Sequence, residues 1–181
     1  MSISTTGPKL NFAKPKQRII AFVFDFLLIA GYILILLIIG ISLTAFPGIT
    51  SLLNSPLATN ILSFMVLVLP VILYFALQEY STKQATWGKR RAKIKVVTKN
   101  GSRMSFSQSL LRSAVKFFPW QLAHICIIAL WYGNQSTIYL VGAITAQAFV
   151  VVYFVSLWFN KKHQTMYDWV AGNYVIRKDE N

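Results

Sequence analysis

Acidic residues are scarce in this chain: five in all, against eighteen lysines and arginines. Cysteine is scarcer still. Cys126 stands alone inside an apolar run, so no disulfide closes within the chain and no cysteine-based zinc site is possible. A buried, inert thiol is the reading left for it. Of the two histidines, His124 lies among apolar residues and His163 in a lysine-rich tail. There is no Ser/His/Asp set, no metal-ligand spacing and no glycine-rich phosphate loop, and Gly88-Lys89 lacks an upstream glycine at Walker spacing. No enzyme activity, catalytic residue, metal or cofactor is expected.

Apolar residues fill the space that charge leaves. They make up 55% of the chain while charged residues make up 13%, against about 25% charged in a typical globular protein. Water is a poor solvent for such a composition, and a bilayer is the natural one. Four apolar runs stand out, at residues 19–41, 61–79, 114–132 and 137–159. The first spans roughly 35 Å as a helix, enough to cross a hydrocarbon core. It is also too long for the core of a signal peptide, with Asp25 inside it, and is expected to stay as a membrane helix. The fold class is therefore an all-α integral membrane protein of four transmembrane helices, with a domain over 19–177 flanked by tails at 1–18 and 178–181.

The polar connections carry their own signals. Residues 42–60, with Pro47, Gly48 and Pro56, read as an external loop, and 133–136 as a tight external turn. Pro70 predicts a kink in the second span. In the long connection 81–112, residues 92–98 alternate loosely and Asn100-Gly101 comes next, a hairpin signal. A small basic hairpin is expected, with 103–107 as its return strand. Ser105 or Ser107 would cap an interfacial helix, with Leu110, Leu111, Ala114 and Val115 on one face and Arg112 and Lys116 on the other. Pro119 would mark the bend into the third span.

Basic residues then give the orientation. Four lie at or before Arg18, ten between Lys83 and Lys116, and four from Lys161 onward, which accounts for all eighteen. The two external loops carry none. The positive-inside rule reads this as both termini on the cytoplasmic side of an inner membrane. The net charge of +13 thus points to anionic lipid at that face, not to nucleic acid.

Asp179 and Glu180 belong to the solvated C-terminal tail, which leaves three acidic residues of interest. Asp25 lies about two turns into the first span, where an ionisable group costs roughly 2.5–3.5 kcal/mol unless it faces the bundle and finds a partner. Arg18, seven residues earlier, shares its helical face. Glu79 ends the second span and Asp168 comes after the fourth. Arg18, Asp25, Glu79 and Asp168 are expected to form a polar cluster at the cytoplasmic end of the bundle, with Gly88, Lys89, Arg90 and Arg91 close enough to join it.

This arrangement resembles the RDD family, named for one arginine and two aspartates. The matching residues are Arg18 and Asp25 in R-I-I-A-F-V-F-D and Asp168 in Q-T-M-Y-D-W-V-A-G-N-Y-V-I. A central T-W-G-K-R-R-A-K-I-K-V-V, from Thr86 to Val97, and the run ending in Glu79 also fit. The resemblance covers residues 16–177. It departs at Tyr167, where the family often has histidine, at Asn173, where it often has threonine, and at Gln84, where glycine is common. A proton relay through that histidine has no counterpart here. The resemblance implies transport, with sodium/proton exchange among the suspected activities.

Two functions are open on this reading. In the first, Asp25 binds and releases a monovalent cation or proton, Glu79 and Asp168 assist at the cytoplasmic mouth, and a homo-oligomer supplies the wall that four helices lack. In the second, the chain is a non-transporting structural or accessory protein whose charged cluster ties helices to loops, and whose basic segments bind anionic lipid or a partner protein.

Overall fold

The computed structural model describes residues 10–43, 45 and 54–178. Most of the expected external loop 42–60 and the acidic tail at Asp179 and Glu180 lie outside these residues. Four helical segments are long and apolar enough to cross a membrane. The first, α1, runs Pro15–Leu43, beyond the expected 19–41 at both ends. Its proline sits in the first turn, where a missing N–H costs nothing. Residues such as Leu34, Ile35 and Ile38 are more than half exposed. That is a surface for acyl chains.

The second span is built in three pieces: α2 (Pro56–Ser63), a π-helical turn (Phe64–Val68) and α3 (Leu69–Tyr80). Ser55 caps it, accepting from the Ala58 N–H at 3.1 Å. The expected kink is this π turn just before Pro70. In a regular helix, the N–H that Pro70 lacks would serve the Val66 carbonyl. The Tyr32 hydroxyl of α1 donates to that carbonyl.

After α3 comes a one-turn helix, α4 (Trp87–Arg91), then strand β1 (Ile94–Thr98). The chain turns after Thr98, with the Gly101 N–H bonded to the Thr98 carbonyl. The returning limb is not the expected strand over 103–107. Ser105 accepts from the Gln108 N–H at 3.2 Å and so starts α5, Phe106–Trp131. The partner of β1 is instead β2 (Asn173–Arg177), antiparallel, with Val96 opposite Val175. Phe12 bridges to Ile176 on the far side of β2. One face of the sheet buries Ile94, Val96 and Val175 with Ala21 and Met104. The other buries Val97, Tyr174 and Ile176 under Leu10 and Phe12. The hairpin reading failed because Ser105 starts α5 where a return strand was expected, which leaves the edge of β1 to β2.

No separate interfacial helix precedes the third span: α5 is continuous through Pro119. The reason is local. Pro119 removes the N–H that a helix aims at the Val115 carbonyl, and the Tyr153 hydroxyl of the fourth span donates to that carbonyl at 2.8 Å. The fourth span, α6, is Thr137–Val155. A short helix α7 (Met166–Val170) leads into β2. Gly142 lets α6 close on α5, since a Cβ there would stand 2.6 Å from the Cys126 sulfur.

Tyr153→Phe is expected to lower stability by about 0.6–1.5 kcal/mol, measured as resistance to unfolding in mixed micelles. Adding Pro119→Ala, which restores the N–H, should recover most of the loss. A Tyr153→Phe variant no less stable than wild type would contradict this role.

Candidate functional site: a buried charge network at the basic end of the bundle

Three carboxylates converge where the spans meet the sheet. Glu79 and Asp168 are fully buried and Asp25 nearly so. Charges so far from water persist only when paired and hydrogen-bonded.

Asp168 takes two arginines. Arg18 Nη2 lies 2.5 Å from one carboxylate oxygen, and Arg112 binds the other through Nε at 2.9 Å and Nη2 at 2.5 Å. Local structure fixes the carboxylate as well. Asp168 sits in the first turn of α7 and accepts the Thr165 N–H at 3.0 Å. Burial opposes its ionisation, but the two guanidiniums outweigh that and hold the carboxyl well below its usual range. Arg18 also donates to the His163 carbonyl, which ties the start of α1 to the segment before α7.

Glu79 is paired on both oxygens, with Lys89 of α4 and with Arg112. Arg112 is therefore shared. Its fork reaches Glu79 on one side and Asp168 on the other, a geometry that an ammonium does not reproduce. Its face lies 5.0 Å from the centre of the Tyr167 ring.

Asp25 forms no ion pair with any described residue. It accepts from the Thr86 hydroxyl at 2.6 Å and from the Gly88 N–H at 2.8 Å. Thr86 also caps α4 through the Lys89 N–H at 3.3 Å. Gly88 has to be glycine here. A Cβ would stand 2.2 Å from the Ala21 carbonyl oxygen and 2.8 Å from the Asp25 carboxyl carbon. The docking of α4 on α1 thus needs a bare backbone.

Of the residues singled out in the sequence, the structure links Arg18, Glu79, Lys89 and Asp168 into one chain of contacts, with Asp25 and Gly88 beside it. Arg18 and Asp25 share a helix face without touching one another. Arg90 and Arg91 stay outside the network: Arg90 bonds Gln78 at 3.2 Å, and Arg91 packs over the Trp87 ring. In the sequence, Arg112 and Lys116 read as the polar face of an interfacial helix, and Thr86 only as the first residue of the central motif. The signal was present, in two cations four residues apart within a predominantly apolar segment. Among the described residues no group of three or more His, Cys, Asp or Glu stands together as a metal site.

Arg18, near the start of the first span, thus pairs with Asp168 after the fourth, while Asp25 within the first span binds Thr86 and Gly88 at α4. The sequence model of the RDD family matches residues 12–172. This chain belongs to the RDD family. With four apolar helices, it is a multi-pass membrane protein of that family. No curated protein and no solved structure matches it significantly. The departures from the RDD pattern now have places. Tyr167 supplies the ring over which Arg112 lies. Gln84 adopts φ +51°, a region that favours glycine, while its carbonyl accepts the Val96 N–H at 2.8 Å.

Gly88→Ala is expected to cost more than about 2 kcal/mol, since α4 has to lift from α1 and Asp25 loses a donor. Thr86→Val should cost about 1–3 kcal/mol by leaving one carboxylate oxygen unserved. A Gly88→Ala protein within a few tenths of wild type in unfolding assays would show that this contact is not needed.

Proposed function

We propose that this RDD protein is a non-transporting accessory protein of the membrane, whose four spans hold a basic platform against anionic lipid on the cytoplasmic face. The observation that carries this reading is the state of the carboxylates. Glu79 and Asp168 are each committed to two cations, and Asp25 to two hydrogen-bond donors. A cation carrier needs a carboxylate free to take up and release its ion, and the described spans hold none in that state. The platform is the sheet with its flanking turns. Lys83, Arg90, Arg91, Lys99 and Arg103 are exposed there, and each basic residue near an anionic surface contributes about 1 kcal/mol of attraction.

One observation favours the second reading, exchange of a monovalent cation for protons. Asp25, although buried and hydrogen-bonded, borders a cavity in the bundle through which an ion could reach it. In that reading Asp25 carries the ion, with Glu79 and Asp168 at the mouth, and a homo-oligomer completes the pathway.

Proteoliposomes distinguish the two. Under sodium, lithium or potassium gradients, proton flux through wild type is expected to equal that of empty liposomes between about pH 6 and 9. Flux in wild type that disappears in a folded Asp25→Asn variant would overturn the accessory reading and establish transport through Asp25.

A further inference from the structure

Between the first and fourth spans lies a cavity of about 390 Å³. Phe22 of α1 and Phe154 of α6, both in its wall, meet edge to face at 4.9 Å. Much of the wall is apolar, with Phe26 and Ile33 on one side and Val150 on the other. Phe26 and Val150 are also substantially exposed on the outer surface of the bundle. The cavity is therefore continuous with the face that meets acyl chains.

One part of it is charged. Arg18, Lys89 and Lys116 line it, against the single carboxylate of Asp25. The ion-paired chain described above joins three cations (Arg18, Arg112, Lys89) to two carboxylates (Asp168, Glu79). It carries one surplus positive charge. Lys116 and Asp25 cancel formally, yet Lys116 forms no ion pair with any described residue. Its ammonium rests on aromatic faces, 3.5 Å from the Phe75 ring centre and 5.0 Å from that of Phe117. Lys116 lies ten residues past the start of α5, about 15 Å along the helix axis. A half-buried ammonium held on aromatic faces, beside a net positive network, is a docking point for an anion.

We infer that this cavity binds one anionic phospholipid from the bilayer, its acyl chain along Phe26, Ile33 and Val150 and its headgroup phosphate on the Lys116 ammonium. The apolar wall sets the chain and the surplus charge sets the headgroup, so a zwitterionic lipid answers only half of the site. This inference deepens the accessory reading by naming a lipid held one to one, as distinct from lipid attracted to the platform.

The test uses the full chain purified in an uncharged detergent, with dioleoyl phosphatidylglycerol and dioleoyl phosphatidylcholine offered at equal concentration and bound lipid read by native mass spectrometry. One phosphatidylglycerol per chain is expected, at least tenfold preferred over phosphatidylcholine. Lys116→Met should lower that retention at least tenfold, and so should Val150→Trp, which fills the apolar part and leaves the lysine in place. Leu140→Ala, exposed on α6 and not part of the cavity wall, should leave it unchanged. Several lipids per chain without headgroup preference, or equal retention in Lys116→Met and wild type, would overturn the inference. So would oleate displacing phosphatidylglycerol at equal concentration, or a dimer that excludes lipid from the cavity. Vesicle binding by the platform is a separate readout. It should weaken with added salt and with Lys99→Gln or Arg103→Gln, so its failure would count against the accessory reading and leave the cavity result standing.

Discussion

Arg112 donates to two carboxylates from different parts of the chain, in surroundings almost free of water, and the architecture depends on that constraint. Glu79 closes the second span and Asp168 opens the helix after the fourth, while Arg112 belongs to the third. Through Asp168 the network reaches Arg18 at the start of the first span, and through Glu79 it reaches Lys89 on α4. Three spans, the short helix that follows the fourth and the connection to the sheet are thereby tied at one end. Buried ion pairs are weak sources of net stability but costly to break. A network of this kind specifies which helix ends meet, whatever it adds to the total.

Lipid does little to bring apolar helices together, so packing and polar contacts decide their arrangement. Both prolines inside spans illustrate this. Each removes a backbone donor, and in each case a tyrosine hydroxyl from a neighbouring span donates to the carbonyl four residues earlier: Tyr32 to Val66 and Tyr153 to Val115. A proline that would break an isolated helix becomes a point of attachment between two. Gly88 does the same at the basic end, where its bare backbone lets α4 sit on α1 and serve Asp25.

Much of this was legible in the sequence because a bilayer imposes simple rules. Apolar runs long enough to cross it are conspicuous, and so are carboxylates inside or beside them. Arg18, Asp25, Glu79 and Asp168 could be singled out for that reason, and their order carried the family resemblance. Arg112 was not legible in the same way. Helical periodicity sets it opposite Leu110 and Leu111, a position that reads as solvated, whereas its side chain is turned toward Glu79 and Asp168. The pairing of β1 was hidden for a different reason. Its partner lies more than seventy residues away, and the nearby Asn100-Gly101 signal specifies a turn without specifying which strand pairs with β1. Pro119 suggested a bend because the donor that replaces its N–H comes from another helix.

The central claim is that Glu79 and Asp168 are coupled through Arg112. A double-mutant cycle on unfolding stability in mixed micelles tests it directly, with Glu79→Gln and Asp168→Asn made singly and together. The account predicts that the combined loss exceeds the sum of the single losses by about 1 kcal/mol or more, because the double variant leaves Arg112 buried with no counter-charge, and that this excess disappears in an Arg112→Met background. Losses that simply add, with and without Arg112, would contradict it.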